Sequence, residues 1–293
     1  MRRIIATVAC AGTAALVAPV IAAPAYAQTP RAADPVSALA KQVKPKQGVH
    51  VTSAAKVTME GMTAFKFRSE GDIQFGRSGV AASDMTSKSD FGGLFGSNDE
   101  LDGMKNPLRT ITINGTSYLS GGVYDDLLPA GKSWLRMPGG SAANLDGTLG
   151  INTFDPNILK AVLATAKGKN NGGTLDGVRT TRYRGSITLG QLYAASPATR
   201  KRVKNMKPAD AKTVINWNLW VGADQLVRRL TTGMTMSYKV KKSDMDMSMT
   251  GDTKFTKWGS KVSITAPPAS EVASVGDIAG DVPEVPDVIN LGD

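Results

Sequence analysis

The residues that could do chemistry in this sequence are few, and they form no catalytic pattern. His50 is the only histidine, and no neighbouring serine or carboxylate pattern would make it part of a nucleophile–base pair. The acid pairs Asp99-Glu100 and Asp125-Asp126 lie in polar, turn-like stretches, where carboxylates are usually solvated. No glycine loop followed by lysine is present to hold a phosphate. We therefore expect that the protein is not an enzyme and carries no cofactor.

The most unusual feature is a group of methionines in the stretch 215–249. Apolar residues occupy every second position there, which places them on one face of each strand. Thioether side chains are flexible and polarizable, so such a face adapts to ligands of variable shape. Three interpretations are open: an ordinary core, the wall of an apolar ligand cavity, or a Cu(I) site, since thioethers are soft ligands. We favour the cavity and expect no metal. The methionines are Met234, Met236, Met245, Met247 and Met249.

Residues 1–27 have the pattern of a secretory signal peptide. Arg2 and Arg3 precede an apolar stretch, and Ala25-Tyr26-Ala27 fits a cleavage site. The only cysteine, Cys10, lies inside this segment, so the mature chain has no thiol for a disulfide, a metal site or a lipid anchor. We expect a secreted, extracytoplasmic protein of the cell envelope that is soluble after cleavage.

Charge divides the mature chain into unequal parts. The formal net charge of the full sequence is +10, yet residues 271–293 carry six acidic residues and no basic one, and we predict that they form a mobile tail. The basic remainder favours contact with an anionic membrane surface, or serves only to keep the protein in solution. A basic cluster at 200–207 lacks interleaved aromatic residues, so we expect no nucleic-acid partner.

The elements that position these residues are mainly strands. Asp34-Pro35 and Asp155-Pro156 each combine an N-cap with a first-turn proline and predict helix starts, while Asn114-Gly115 predicts a tight hairpin. About ten strands follow in meander order, which favours an α+β fold with an antiparallel sheet and helices on one face. We predict a flexible segment at 28–34 and one domain at 35–270, with Gly172-Gly173 in a loop.

The order of several short motifs resembles the LppX/LprG-type lipoproteins of the actinobacterial envelope and, more widely, the LolA/LolB-like fold. Each motif is weak alone, and the resemblance covers about residues 35–270. The motifs are Ser117-Tyr118-Leu119, Gly131-Lys132-Ser133-Trp134-Leu135, Asp155-Pro156, the stretch from Asp176 to Gly185, the strand pair around Gly222-Ala223-Asp224, and the ending from Trp258-Gly259 to Pro267.

This resemblance implies a strongly curved antiparallel half-barrel whose helices close the concave face over an apolar cavity. Proteins of this type bind a lipid or glycolipid, and the family has no catalytic residues to transfer. The same fold also serves regulatory or sensor modules that bind an envelope protein, which is the alternative function. Many relatives are anchored through a lipidated cysteine that is absent here, so the chain is either a diffusible carrier or not a transporter at all. We also expect a monomer. The candidate cavity residues are Phe65, Phe67, Leu159, Leu163, Leu219 and the five methionines, and the candidate lid residues are Leu94 and Phe95.

Overall fold

The computed structural model describes residues 34–91, 105–143, 145–202, 206–240 and 243–278, and its main feature is one open, curved sheet. The first and eleventh strands pair antiparallel at its centre, so the sheet consists of two meanders that extend in opposite directions from this pair. All the pairings are antiparallel except that between the sixth and twelfth strands. The α+β fold with a curved antiparallel sheet is confirmed. The strands are β1 Gln47–Met59, β2 Met62–Phe75, β3 Val80–Phe91, β4 Leu108–Ile113, β5 Thr116–Gly121, β6 Trp134–Pro138, β7 Ala166–Leu175, β8 Val178–Thr188, β9 Val214–Gly222, β10 Val227–Val240, β11 Ser243–Lys261 and β12 Val272–Ser274.

Helices lie in the connections, and two of them begin where the sequence predicts. Asp34 accepts a hydrogen bond from the Ser37 amide at 2.9 Å, and Asp155 accepts one from the Asn157 amide at 2.8 Å, so both act as N-caps before a proline. None of the helices in the described ranges is long and apolar enough to cross a membrane. The helices are α1 Pro35–Gln42, α2 Pro156–Ala164, α3 Leu189–Ala195, α4 Pro197–Arg202 and α5 Pro208–Ala211, with 3-10 helices at Gly122–Leu127, Asp146–Thr148, Ala269–Glu271 and Val275–Asp277.

Two-residue turns set the register of three hairpins. In the predicted turn between β4 and β5, Asn114 has φ 52° and Gly115 has φ 77°, which is the left-handed pair that a type I′ turn requires. Glu60-Gly61 and Asp176-Gly177 have the same pair of positive φ angles. These turns fix which side chains lie opposite each other in β1–β2, β4–β5 and β7–β8.

The main core lies between the concave face of the sheet and the helices. Ile158 and Val162 of α2 are fully buried in the same core cluster as Trp217 of β9, which is 1% exposed. The indole Nε1 of Trp217 donates to the Thr165 hydroxyl at the end of α2, at 3.3 Å. The buried face of the helix therefore meets the buried face of the sheet, as the alternating pattern predicts.

The sheet has more strands than the sequence predicts, because two edge strands have polar or uninformative sequences. Gly172 and Gly173, predicted in a loop, lie in β7, whose lysine, asparagine and glycine residues give a weak strand signal. At the other edge, β12 lies within the stretch 271–293 that is predicted to be a mobile tail, and Ala273 of this strand is fully buried. The stretch thus contributes a strand that pairs with β6.

Several predictions concern residues that the structure does not describe. The signal peptide, residues 28–33 of the predicted flexible segment, the lid residues Leu94 and Phe95, and positions 279–293 of the tail all lie outside the described ranges. For these residues the statements remain predictions.

An ion pair at the turn between β9 and β10, in which the arginine is buried, is expected to contribute strongly to stability. Arg228 is only 6% exposed, its Nη2 donates to Asp224 at 2.5 Å, and its Nε and Nη1 have no partner in the described chain. Asp224 also accepts a hydrogen bond from the Leu226 amide at 3.2 Å. Asp224→Ala would leave the buried guanidinium without any carboxylate. We expect the free energy of unfolding in urea to fall by about 2 kcal/mol, a value reduced because Asp224 is partly exposed.

The matched control removes a more exposed ion pair. Arg229 binds Asp252 in a two-bond arrangement at 2.8 and 2.6 Å, and the two side chains are 31% and 36% exposed. Asp252→Ala should lower the free energy of unfolding by at most about 1 kcal/mol. An equal loss in the two variants would contradict the importance that we give to the burial of Arg228.

Candidate functional site

The register of five strands brings predicted methionines and phenylalanines into one row. Met234 of β10 lies directly opposite Met249 of β11, which in turn lies opposite Val57 of β1. Val57 lies opposite Phe65 of β2, and Phe65 lies opposite Phe91 of β3. Directly opposed residues of antiparallel strands project from the same face, so these five side chains form a continuous apolar row across the sheet.

A second row lies two residues further along the same strands. Met236 is opposite Met247, and Met247 is opposite Met59, which pairs with Met62 across the β1–β2 turn. Three of these side chains are half-buried, whereas Met62 is 55% exposed. We call the two rows together the methionine–phenylalanine surface. It is an apolar face that the described part of the chain covers only partly.

Phenylalanine rings in contact with one another form one end of this surface. The rings of Phe65 and Phe91 are 5.2 Å apart, and those of Phe65 and Phe67 are 6.4 Å apart, both within the range of favourable ring contacts. Phe67 lies two residues further along β2, on the same face as Phe65 and opposite Ala55. The surface thus has flexible thioethers on β10 and β11 at one end and more rigid aromatic rings on β2 and β3 at the other.

The other predicted cavity residues occupy different places. Leu159 of α2 and Leu219 of β9 are fully buried in the main core, and Leu163 is half-buried against it. Met234 and Met249 also pack against this core, which makes them the link between the core and the methionine–phenylalanine surface. Met245 lies beyond the second row, opposite Tyr238.

A short segment packs onto the central strands of the sheet near this surface. Residues 145–150, which we call the crossing segment, contain a 3-10 helix that packs against β1, β10 and β11. Thr232 donates a hydrogen bond to the Gly147 carbonyl at 3.2 Å. A Cβ on Gly251 of β11 would meet that carbonyl well inside van der Waals distance. The two backbones can approach this closely because both positions are glycine.

Sequence reasoning missed several residues of this site. Val57 and Met59 continue the alternation of β1, which places them on the same face as Val51, but the candidate cavity residues do not include them. Met62 and Phe91 lie at strand ends, where alternation gives little signal: Met62 is the first residue of β2 and Phe91 is the last residue of β3. The contact between Gly147 and Gly251 has no sequence signal, because it joins backbone atoms far apart in the chain.

The opposite face of the same strands is polar and contains a groove of about 860 Å³. His50 lines it and contacts the Asp72 carboxylate at 2.8 Å through its Nδ1, a partner that the sequence pattern does not reveal. Arg109 donates two hydrogen bonds to Asp84, at 2.9 and 2.7 Å, and these bonds raise the pKa of Arg109 above its ordinary value. We call the groove on this polar face the outer groove.

Aromatic rings and guanidinium groups extend the polar face beyond the outer groove. Trp220 lies between Arg229 and Arg182, whose guanidinium carbons are 5.0 and 5.8 Å from the ring centre. Hydrogen bonds from Arg229 to Asp252 raise the pKa of Arg229. This face is therefore held by ion pairs and cation–π contacts. No cluster of three or more histidine, cysteine or acidic residues with metal-binding geometry occurs in the ranges described above.

Comparisons with known proteins give only distant similarities. No protein-family model matches the chain, and a search of curated proteins finds no match. Among solved structures, a LolA superfamily protein from Nitrosomonas europaea is similar, with 7% identity, a TM-score of 0.23, and coverage of 75% of this chain and 91% of that one.

Two further similarities are to MucB structures. The Pseudomonas aeruginosa MucA/MucB complex matches with 10% identity, a TM-score of 0.22, and coverage of 75% of this chain and 93% of that chain. A structure of MucB bound to MucA(peri) has 9% identity, a TM-score of 0.22, and coverage of 76% and 93%. TM-scores this low carry no argument about function, which must be argued from the geometry of this chain.

Proposed function

We propose that this chain is a secreted, non-enzymatic carrier that binds the acyl chains of a lipid or glycolipid on its methionine–phenylalanine surface. One observation carries the proposal: strand pairing joins methionines, phenylalanines and a valine into two continuous rows on one face, half-buried except at Met62. An apolar surface of this kind gains free energy when an acyl chain covers it, about 0.8 kcal/mol for each methylene removed from water.

The chemical character of the rows supports an acyl chain over other ligands. Apart from the ring edges and sulfur atoms, the rows offer no charged or hydrogen-bonding group that would fix a polar ligand. Thioethers on β10 and β11 can rotate to follow chains of different length or unsaturation. We also propose that the chain is a carrier of the LppX/LprG type without a lipid anchor. Secretion directed by the predicted signal peptide is part of the same proposal.

The direct test is native mass spectrometry of protein purified without detergent from its own host. We expect a bound species whose mass, after organic extraction, matches one or more acyl lipids. A bare protein that also fails to take up a fluorescent fatty acid would contradict the carrier proposal. In that case a co-purifying envelope protein would favour the regulatory module, and a bound copper ion would favour the Cu(I) site.

Copper is the second candidate, and one observation favours it. The pairs Met234–Met249 and Met236–Met247 place four thioethers side by side on two neighbouring strands. The same rows continue into Val57, Phe65 and Phe91, which cannot bind a metal. The extent of the surface therefore favours the lipid.

A further inference from the structure

The outer groove carries an excess of positive charge after its ion pairs are formed. Asp84 is paired with Arg109, and Asp252 is paired with Arg229. Arg68, Lys88 and Lys254 also line the groove, and none of the three has a carboxylate partner among the described residues. The one lining carboxylate left outside an ion pair is Glu70. The groove thus presents three cations against one anion.

Two of these cations lie side by side on neighbouring strands. Arg68 of β2 lies directly opposite Lys88 of β3, and the residue opposite Arg68 on its other side is the small Ala54. Directly opposed like charges destabilise a strand pair. The repulsion disappears when an anion binds between them, so the arrangement is better suited to a bound anion than to an empty groove.

The rest of the lining indicates the kind of anion. Thr52 lies between Lys254 and Glu70, and Thr86 lies between Glu70 and Arg109, so hydroxyl groups alternate with the charges. Ala54 is the only apolar side chain among the described residues that line the groove, so the lining favours a polar ligand over an acyl chain. A volume of about 860 Å³ is within the usual range for small-ligand sites.

We propose that the outer groove binds a polar ligand that carries a phosphate group. A phosphate has enough charge for Arg68 and Lys88 together, the planar guanidinium of Arg68 can donate two parallel hydrogen bonds to it, and lysine is a common phosphate ligand. The threonine hydroxyls are suited to the oxygen atoms of an attached polyol or sugar. This site is on the opposite face from the methionine–phenylalanine surface and does not depend on the function proposed above.

The test compares two double variants with the same change in net charge. Arg68→Gln/Lys88→Gln removes the opposed cations, whereas Lys160→Gln/Lys167→Gln removes two exposed lysines outside the groove. We expect saturable binding of pyrophosphate by the wild-type protein in calorimetry. Binding should weaken at least about tenfold in the first variant and be unchanged in the second. Without ligand, the first variant should melt no lower than the wild type, because a like-charge contact is lost.

Two further ligands identify the source of the phosphate. Glycerol phosphate represents a free ligand, and vesicles of phosphatidylglycerol in phosphatidylcholine represent a lipid headgroup; groove-dependent binding to either one supports the site. The proposal is overturned if the wild-type protein binds none of these probes. It is also overturned if both double variants lose binding equally, since the attraction would then come from net charge alone. Acyl-chain binding, measured separately with a fluorescent fatty acid, would be unaffected by either failure.

Discussion

Met249→Asp is expected to weaken acyl-chain binding on the order of one hundredfold. Met249 lies in the middle of the first apolar row, between Met234 and Val57. A carboxylate there must lose its water when an acyl chain covers it, and no described cation on that face is paired with this position. The cost of burying that charge, added to the lost apolar contact, reaches about 3 kcal/mol or more.

The neighbouring residue supplies the control for this prediction. Thr250 is exposed and lies opposite Gly233 and Lys56, on the other face of the same strand. Thr250→Asp therefore introduces the same charge one residue away without touching the apolar row. Titration with a fluorescent fatty acid should show wild-type affinity for Thr250→Asp. Equal affinity for the two variants would mean that the acyl chain does not lie on this face.

Folding must be checked separately, because Met249 also packs against the main core. Met249→Leu keeps the volume and the apolar character, so it should cost less than about 1.5 kcal/mol of stability. It should also keep most of the affinity. Loss of binding in Met249→Leu would indicate that the sulfur atom itself is required, which would favour a metal site over a lipid surface.

The second large effect is expected from Gly251→Val, which would displace the crossing segment. A Cβ at this position would meet the Gly147 carbonyl, a backbone atom, and the Thr232 hydroxyl. Neither β11 at the sheet centre nor the 3-10 helix above it can yield by rotating a side chain. We expect the free energy of unfolding to fall by about 3 kcal/mol, the upper end for an overpacked core, together with loss of the Thr232–Gly147 hydrogen bond.

Gly233→Val is the matched control for this effect. Gly233 is in the neighbouring strand β10, and the nearest heavy atom to an added Cβ there is the Met249 carbonyl oxygen at 3.9 Å. Because valine favours strands, this variant should be close to neutral in urea unfolding. The outcome that would contradict the close approach of Gly147 and Gly251 is a similar, small effect in both variants.

A displaced crossing segment should also change the ligand surface. In the wild-type chain this segment packs against β1, β10 and β11, and its Leu145 and Leu149 are buried in the main core. Gly251→Val at a concentration of urea where it remains folded should bind more of an apolar fluorescent dye than the wild type. The dye would report the apolar core face that the segment normally covers.

The sequence by itself determined the local features of this protein. Asp34 and Asp155 start helices because their side chains cap free amides before a proline, and Asn114-Gly115 makes a hairpin because both residues accept positive φ. The alternation around Met234 and Met249 places these side chains on one face, since each step along a strand reverses direction. Such features depend only on neighbouring residues.

Only the tertiary structure decided which of these faces meet. The pairing of Val57 with Met249, which makes the apolar row continuous, joins strands from opposite ends of the chain. The opposition of Arg68 and Lys88 depends on the register of β2 with β3, and the burial of Ala273 depends on an edge strand with little sequence signal. Backbone hydrogen bonds between distant strands set these registers. Because those bonds are the same for every residue type, composition and periodicity do not reveal them.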